Sequence, residues 1–223
     1  MRSLSLTVSA VATLALAAVA TATPVSVTYN GVSPSKSVSL SKNSGGTYSN
    51  YTAGLNNLTG AVSNQSDLRG AFTAFCIDIN QTISNGNSYT DFNTTALQSA
   101  PIPTSPMGAA KADQISQLWY NGRSILSSSD SYAAFQVAIW EIVNDTGLSL
   151  SGGTFRAASG SVRTLAQGYL DKIDGIGGRT SLFAIASPST QDFVVPTALV
   201  PAPAAAGLGL LGLGMASRRN RRK

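Results

Sequence analysis

The segment AAFQVAIWEI, residues 133–142, contains a single glutamine, Gln136, within an almost continuous apolar run. The apolar side chains fall at nearly every angle around a helix, so the pattern predicts a buried helix with almost no polar face. Gln136 shares a helix face with Tyr132, Trp140 and Val143, so its amide has no obvious polar partner on that face. A buried carboxamide without a partner costs about 1–3 kcal/mol. The sequence therefore predicts that something satisfies Gln136 or has reacted with it.

Strand patterns lie on both sides of this segment. Alternating apolar and polar residues from Val25 to Gly70 indicate strands and turns, and Ala71–Ile79 (AFTAFCIDI) is a further strand candidate. The segments TSLFAIAS and DFVVP, residues 180–187 and 192–196, indicate strands that return to the same sheet. The sequence from Asn80 to Met107 is interpreted as a loop.

Three helices are predicted in the middle of the chain. They span Ala109–Gly122, a segment that begins after Asp130 or Ser131 and ends near Gly147, and Ser161–Ile173. Strands at both ends and helices between them indicate an α+β fold. We expect a β-sheet, sandwich or barrel-like, formed by the N- and C-terminal strands with an inserted helical subdomain.

The N-terminus has the pattern of a signal peptide. Arg2 is followed by an apolar run, Leu4–Ala20, which closes on small residues. This pattern predicts export and cleavage near Ala22. We therefore expect a signal peptide over residues 1–22 and a mature protein that leaves the cytoplasm.

The C-terminus combines a short motif, an apolar stretch and a cluster of cations. VPAP (Val200–Pro203) precedes the apolar run Ala204–Met215, which is followed by SRRNRRK. The run is shorter than the roughly 20 residues that a membrane-spanning helix usually needs, and the cations favour retention at the inner face of the membrane. An ordinary C-terminal membrane anchor, a transmembrane helix, is the alternative. We expect a folded domain over residues 23–195 and a sorting tail over residues 196–223.

The order of these C-terminal features resembles the PEP-CTERM sorting tails of Gram-negative bacteria, although Ala202 stands where that family usually has Glu. The resemblance implies contact with the membrane through this segment and then removal by an exosortase-type processing enzyme. It also implies export through the inner membrane of a cell that makes exopolysaccharide. The final location would be the cell surface or the extracellular matrix.

The basic net charge arises from the two ends of the chain. The net charge is +5, and six cations lie at Arg2 and within residues 218–223, so +5 less six leaves −1 for residues 23–217. Basic tracts can indicate nucleic-acid binding. Because these tracts are topology signals, we expect no nucleic-acid partner.

The residue types present exclude several classes of site. The chain has no His, which removes Ser-His-Asp and Cys-His catalysis in their usual forms and the commonest metal ligand. Its single Cys allows neither an intrachain disulfide nor a Cys-based zinc site. The glycine-rich segment DGIGGR, residues 174–179, lacks the spacing and the lysine of a phosphate-binding loop. We therefore expect no metal, no cofactor and no enzymatic activity.

Cys76 is the only thiol in a chain that we expect to be exported. In an oxidising compartment a free thiol is at risk unless it is buried or already bonded. Cys76 lies in FCIDI and Gln136 lies in FQVAIWEI, and bulky apolar residues flank both. A thiolate pressed against a carboxamide carbon can expel ammonia and leave an intramolecular thioester, because proximity and orientation contribute several kcal/mol. A buried Cys that acts as a small apolar residue is the alternative.

The aromatic–Cys strand motif, the downstream Q-x-A-I-W helix motif and the segment QISQLWYNG resemble the thioester domains of bacterial surface adhesins. The resemblance spans about Phe72–Val143. It implies a thioester between Cys76 and Gln136 that reacts with an amine on a target, usually a lysine, to give a covalent amide. We expect Phe75, Tyr132 and Trp140 to form a supporting pocket, in which Trp140 has a packing role. The implied function is covalent capture in adhesion or in exopolysaccharide or biofilm association.

Three alternatives stay open. The first is a structural or glycan-associated matrix protein without a thioester, in which Cys76 and Gln136 are core residues and Gln136 bonds to backbone. The second is a carboxylate-based hydrolase. The third is a stalk domain stabilised by an isopeptide bond between Lys and Asn, with Glu141, the only Glu, as its acid.

Overall fold

The computed structural model describes residues 23–61, 68–102 and 105–197. The predicted signal peptide and the motif, apolar run and cations of the predicted tail lie outside these residues. The strands are β1 (Thr23–Ser41), β2 (Ser49–Ala61), β3 (Gly70–Cys76), β4 (Ser88–Ala96), β5 (Pro101–Ile102), β6 (Ser105–Pro106), β7 (Arg156–Ala157), β8 (Leu182–Ala186) and β9 (Phe193–Pro196). The helices are α1 (Ala109–Gly122), α2 (Ser129–Asn144) and α3 (Ser161–Leu170).

Six of these strands form a closed antiparallel ring. The order is β1-β2-β3-β9-β8-β4, and β4 pairs again with β1. Closure is possible because β1 is 19 residues long and uses both of its edges. Residues 23–28 of β1 pair with β4, whereas residues 26–40 pair with β2. The expected α+β fold with a barrel-like sheet is confirmed.

The interior of the ring is filled by side chains that alternate along the strands. Val25, Val27 and Tyr29 of β1 are all buried, as the period of two in a half-buried strand requires. Aromatic rings from opposite parts of the ring meet there, since Phe193 lies 6.2 Å from Tyr29 and 6.1 Å from Phe92 between centroids. This apolar interior is the environment into which β3 carries Cys76.

Helix α2 covers this sheet and packs against β1, β2, β3 and α3. Every residue from Ala133 to Val143 is buried, which confirms the prediction of a helix with no polar face. The helix begins at Ser129, earlier than predicted. Ser128 is the N-cap and accepts a hydrogen bond from the Ser131 N–H, while the Ser131 side chain accepts one from the Ser128 N–H. Such a capping box fixes the start of a helix.

Three further predictions about the elements differ from the structure. The predicted loop from Asn80 to Met107 is wrong, because it contains β4, whose largely polar residues gave no strand pattern. Strand β3 ends at Cys76 instead of Ile79, and the Asp78 side chain then accepts a hydrogen bond from the Asn80 N–H, as in a turn. Helix α3 ends at Leu170 and not at Ile173.

The C-terminal strands agree with the sequence pattern. Strands β8 and β9 lie within the two predicted segments and pair with each other. Pro196, assigned to the tail from the sequence, pairs with Leu182 and is the last residue of β9. Among residues 23–61, 68–102 and 105–197, no helix is long and apolar enough to cross a membrane.

Candidate functional site

The side-chain amide of Gln136 forms two hydrogen bonds with the backbone of Cys76. The Cys76 N–H donates to Gln136 Oε1 at 2.9 Å, and Gln136 Nε2 donates to the Cys76 carbonyl oxygen at 2.7 Å. Only 2% of Cys76 and 1% of Gln136 is exposed. The structure thus brings together two residues that lie 60 positions apart. The amide is satisfied by the backbone of Cys76 and not by side chains of its own helix face, which agrees with the alternative that Gln136 bonds to backbone.

The backbone of Cys76 is available because of the strand geometry around it. The pairing of β2 with β3 stops at Asn56 and Ala74, so β2 does not reach Cys76. On the β9 side the Ile77 N–H donates to the Asp192 carbonyl, and alternate residues of an antiparallel strand turn their polar groups to opposite edges. Cys76 therefore turns its N–H and C=O away from β9. The Gln136 amide takes the place that a continued β2 would occupy.

An aromatic cluster fixes the position of α2 over β3. Phe135 packs against Phe75 with 4.8 Å between ring centroids, and it also contacts Trp119 at 5.7 Å and Tyr169 at 6.1 Å. Gly122 of α1 lies against the same ring. A Cβ atom at this position would be 2.9 Å from the Phe135 ring, so the glycine permits α1 to pack this closely. Phe135 precedes Gln136 and Phe75 precedes Cys76, so the cluster sets the rotation of α2 that directs Gln136 to Cys76.

Cys76 Sγ lies in surroundings that keep it protonated at neutral pH. Burial raises the pKa of the Cys76 thiol to about 12. The Trp140 indole N–H and the Asp78 backbone oppose this rise, while the charges of Asp78 and Asp192 add to it. The thiol itself donates to the Asp78 carbonyl oxygen at 3.1 Å. Forming a thiolate at Sγ therefore costs free energy, and only a few neighbouring groups stabilise it.

Two carboxyl groups lie close to this sulfur in the fold. Asp78 and Asp192 are 3% and 1% exposed and line one cavity of about 370 Å³. Burial raises the pKa of Asp192 to about 7, and the charge of Asp78 adds to the rise. The Ser187 N–H, which donates to Asp192 Oδ1 at 2.7 Å, lowers it. Asp192 therefore changes charge near neutral pH.

A third buried carboxyl group, Glu141, lies farther along α2. Its Oε1 accepts the Ser149 N–H at 2.9 Å, and its Oε2 has no hydrogen-bond partner. Burial raises the pKa of Glu141 to about 7, and the charge of Asp145 adds to this rise. Glu141 thus holds a loop after α2 in place, and no hydrogen bond connects it to Cys76 or Gln136.

The three residues of the predicted supporting pocket lie in different places. Phe75 packs in the aromatic cluster between the sheet and the helices. Tyr132 is half-buried, and the Arg123 guanidinium lies 5.7 Å from its ring centroid. Trp140 contacts the Tyr51 ring edge-on, and its indole N–H lowers the pKa of the Cys76 thiol. Of the three, Trp140 is the one whose side chain influences the Cys76 thiol.

Sequence reasoning missed three residues near Cys76. Asp78 and Asp192 each interrupt or precede a short apolar strand pattern, and a charged residue at such a place is a usable signal. Tyr29 lies inside the ring, where its hydroxyl donates to Asn56 Oδ1 at 3.0 Å. Burial, and then the charge of Cys76, raises the pKa of Tyr29 to about 12. Nothing in the local sequence marks Tyr29, since β1 does not pair with β3 and only the fold of the ring brings Tyr29 near Cys76.

Residues 73–173 match the family model of the thioester domain. The match includes both Cys76 and Gln136, and it supports a thioester-domain protein capable of covalent capture. It covers less than half of the chain, and β1, β2, β8 and β9 lie outside it. No curated protein matches the sequence.

Thioester domains are typically found in surface or extracellular proteins, and they bind nucleophilic targets such as amines covalently. The described residues of this chain hold no group of three or more His, Cys, Asp or Glu that could bind a metal ion. Within the matched segment, Cys76 and Gln136 are the thiol and the carboxamide that the structure brings together.

Proposed function

We propose that Cys76 and Gln136 form an internal thioester through which this protein captures a primary amine on a target. The observation that supports the proposal most is the pair of hydrogen bonds between the Gln136 amide and the Cys76 backbone. These bonds hold the carboxamide of one residue directly beside the residue that carries the only thiol. The alignment with the thioester-domain family over both positions supports the same chemistry.

Thioester formation needs no group from outside the chain. Cys76 Sγ attacks Gln136 Cδ, a C–S bond forms, the C–N bond breaks, and the thiol proton leaves with the nitrogen as ammonia. The Cys76 N–H already donates to Gln136 Oε1, so it stabilises the negative charge that develops on this oxygen during the attack. The backbone of the attacking residue thus provides an oxyanion donor for its own reaction.

The energetic balance depends on proximity. With a thiol pKa of about 12, forming the thiolate at pH 7 costs about 7 kcal/mol. Holding two reacting groups in a productive geometry is worth about 7–11 kcal/mol. The contribution of proximity is thus large enough to offset the cost of deprotonation. Burial has a second effect, because it excludes the water that would hydrolyse the product.

In capture, an amine replaces the sulfur on Gln136 Cδ. The amine attacks Gln136 Cδ, a C–N bond forms, the C–S bond breaks, and a proton of the amine passes to the sulfur. Cys76 returns as a thiol, and the target is bound through an amide. Each molecule reacts once and is not regenerated, so we propose a covalent binding protein and not an enzyme.

We further propose that the protein acts at the cell surface or in the extracellular matrix, in adhesion or in exopolysaccharide or biofilm association. The signal-peptide pattern of residues 1–22 and the tail pattern of residues 196–223 support export and exosortase-type processing. The target would be an amine-bearing surface or matrix molecule. Detection of the processed ends in exported protein by terminal peptide sequencing would test this route, and a protein that keeps both ends outside the cell would contradict it.

A non-covalent structural role in the matrix is the second candidate. One observation favours it, namely that the Gln136 amide already has two backbone partners and does not need to react to be satisfied. Incubation with methylamine separates the two candidates. A thioester protein gains the mass of one amine, whereas a protein with an unreacted core gains nothing.

Matched variants make this experiment specific. Cys76→Ala and Gln136→Ala each remove one partner of the bond and should abolish the mass gain. Gln98→Ala, at an exposed glutamine, should leave it unchanged. A mass gain that survives Cys76→Ala would show that the amine reacts elsewhere and would contradict the proposal.

A further inference from the structure

The indole nitrogen of Trp140 is a buried donor without a hydrogen-bond acceptor. Only 3% of Trp140 is exposed, and its Nε1 has no partner of normal hydrogen-bond geometry. Buried polar groups in native structures are nearly always satisfied, and an exception needs a physical explanation. Leaving such a donor without a partner costs about 1–3 kcal/mol, so a purely packing role would favour Phe at this position.

The neighbours of Trp140 indicate what this donor faces. Trp140 follows Gln136 by four residues and therefore lies one turn along the same face of α2. The Gln136 amide is bound to the Cys76 backbone, so this face of the helix lies against Cys76. The Trp140 N–H also lowers the pKa of the Cys76 thiol, against the rise that burial causes.

The protonation of Cys76 explains why this donor is incompletely satisfied. The thiol directs its own proton to the Asp78 carbonyl oxygen at 3.1 Å, and a neutral thiol sulfur is only a weak acceptor. A sulfur that carries negative charge is a much stronger acceptor, because hydrogen bonds to ionised groups are about twice as strong as neutral ones. The Trp140 N–H is thus without a partner in the resting protein and gains a strong acceptor when the sulfur is charged.

We infer that Trp140 is a catalytic residue whose indole N–H donates to the Cys76 sulfur whenever this atom carries negative charge. The inference rests on the proposed thioester function. During thioester formation the charge is on Sγ before the C–S bond forms. During capture the electron pair of the breaking C–S bond returns to Sγ before the proton from the amine reaches it.

Trp140 and the Cys76 backbone then act on different atoms. The Cys76 N–H stabilises charge on the carbonyl oxygen of Gln136, and the Trp140 N–H stabilises charge on the sulfur. The second donor is needed because Asp78 and Asp192 place negative charge near Sγ, where they oppose a thiolate. Trp140 is the neutral side-chain donor that counteracts them.

The experiment compares two Trp→Phe variants of the full-length protein. Trp140→Phe removes the donor at the sulfur and keeps an aromatic ring. Trp119→Phe makes the same change in the aromatic cluster, where Trp119 packs against Phe75 and Phe135. Each purified protein is incubated with methylamine, and the rate of mass gain is followed by intact-mass spectrometry, with thermal unfolding as the check on folding.

We expect Trp140→Phe to capture methylamine at least about tenfold more slowly than wild type. Removing one hydrogen-bond donor from a charge that develops on oxygen lowers the reaction rate by about 10²–10³, and we expect a smaller effect on sulfur. Trp119→Phe should react within about twofold of wild type. Equal rates for Trp140→Phe and wild type would overturn the inference. A wild type that never loses ammonia would instead overturn the proposed function, so the two failures are distinguishable.

A spectroscopic measurement on wild type keeps the test decisive if Trp140→Phe does not fold. In ¹⁵N-labelled protein the two tryptophans give two indole N–H resonances, which Trp119→Phe assigns. Capture of methylamine converts the thioester sulfur to a thiol, so the Trp140 indole resonance should shift while the Trp119 resonance stays in place. A Trp140 resonance that does not move on capture would overturn the inference.

Discussion

Phe75 and Phe135 pack with their ring centroids 4.8 Å apart, and each immediately precedes one residue of the Cys76–Gln136 pair. This contact connects β3 to α2 and sets the register between them. Cys76 and Gln136 are the next residues along β3 and α2, so the same contact brings them together. The Gln136 amide then forms its two hydrogen bonds with the Cys76 backbone. The geometry of the site is therefore determined by apolar packing next to it.

We predict that Phe135→Leu slows thioester formation. The variant stays apolar but loses the ring contacts with Phe75 and Trp119, and we expect it to reduce the free energy of unfolding by about 1–3 kcal/mol. Phe155→Leu is the matched control, because Phe155 is equally buried and lies outside this cluster. The thioester fraction after refolding, measured by mass, should fall for Phe135→Leu alone. Equal fractions in the two variants would show that the contact does not position the pair.

We predict that the Gln136 amide stabilises the fold even without a thioester. Cys76→Ala keeps the backbone partners and cannot form the bond, so it is the reference. Adding Gln136→Ala to it leaves a buried N–H and a buried C=O unpartnered and should reduce the free energy of unfolding by at least about 2 kcal/mol. Urea denaturation measures the difference. Adding Gln98→Ala instead should change it by less than about 0.5 kcal/mol, and equal effects of the two additions would contradict the account.

Residue-level signals predicted part of this structure well. The buried helix, the strands around Cys76 and the pairing of Cys76 with Gln136 follow from local apolar patterns and two chemically unusual residues. Strand β4 was not predictable in this way, because it pairs with β1 and β8 at its two edges while only Phe92 and Thr94 are buried. Its polar residues therefore carry no strand pattern, and non-local pairing decides its conformation.

Which part of the backbone binds the Gln136 amide was not predictable for a related reason. It depends on where β2 stops pairing with β3, and the sequence of β2 has no mark at Asn56. The roles of Asp192 and Tyr29 near the sulfur likewise require long-range structure, because β9 pairs with β3 at Cys76 and the fold of the ring brings Tyr29 near it. The sequence alone identifies Cys76 and Gln136 as a pair. The groups that surround them are determined by the pairing of strands that lie far apart in the sequence.

We predict that the buried acids Asp192 and Glu141 make the protein less stable as pH rises from about 4 to about 7. Their pKa values are raised to about 7 in the folded protein, against about 3.9 and 4.3 for unfolded Asp and Glu. In this window the folded state keeps protons that the unfolded state releases, so the free energy of unfolding falls with pH. Asp192→Asn and Glu141→Gln should each flatten this fall relative to wild type.

Asp91 provides the control with the opposite sign. Hydrogen bonds from Ser189 and Ser187 lower the pKa of Asp91, so its contribution to stability is present above the unfolded pKa and is lost as the pH falls below it. Asp91→Asn should therefore leave the fall between pH 4 and 7 intact. If Asp192→Asn and Glu141→Gln kept the full wild-type slope in thermal unfolding, burial of these carboxyl groups would not be its cause.

We predict that amine capture accelerates with pH. A lysine side chain attacks only when deprotonated, so with Nα-acetyl-lysine the rate should rise about tenfold per pH unit below the lysine pKa of about 10.4. Mass spectrometry separates the amide product from hydrolysed protein at each pH. A capture rate that stays constant from pH 6 to pH 9 would mean that the free amine is not the attacking species.

The most direct test of the central claim is the intact mass of the freshly purified protein, measured together with alkylation of its thiol. Alkylation should be done in denaturant, because a free Cys76 with a pKa of about 12 and 2% exposure would resist reagents in the native state. We predict a mass one ammonia below that of the encoded chain, with no thiol alkylated, and no such loss in Cys76→Ala. A full encoded mass with one alkylated thiol would contradict the thioester.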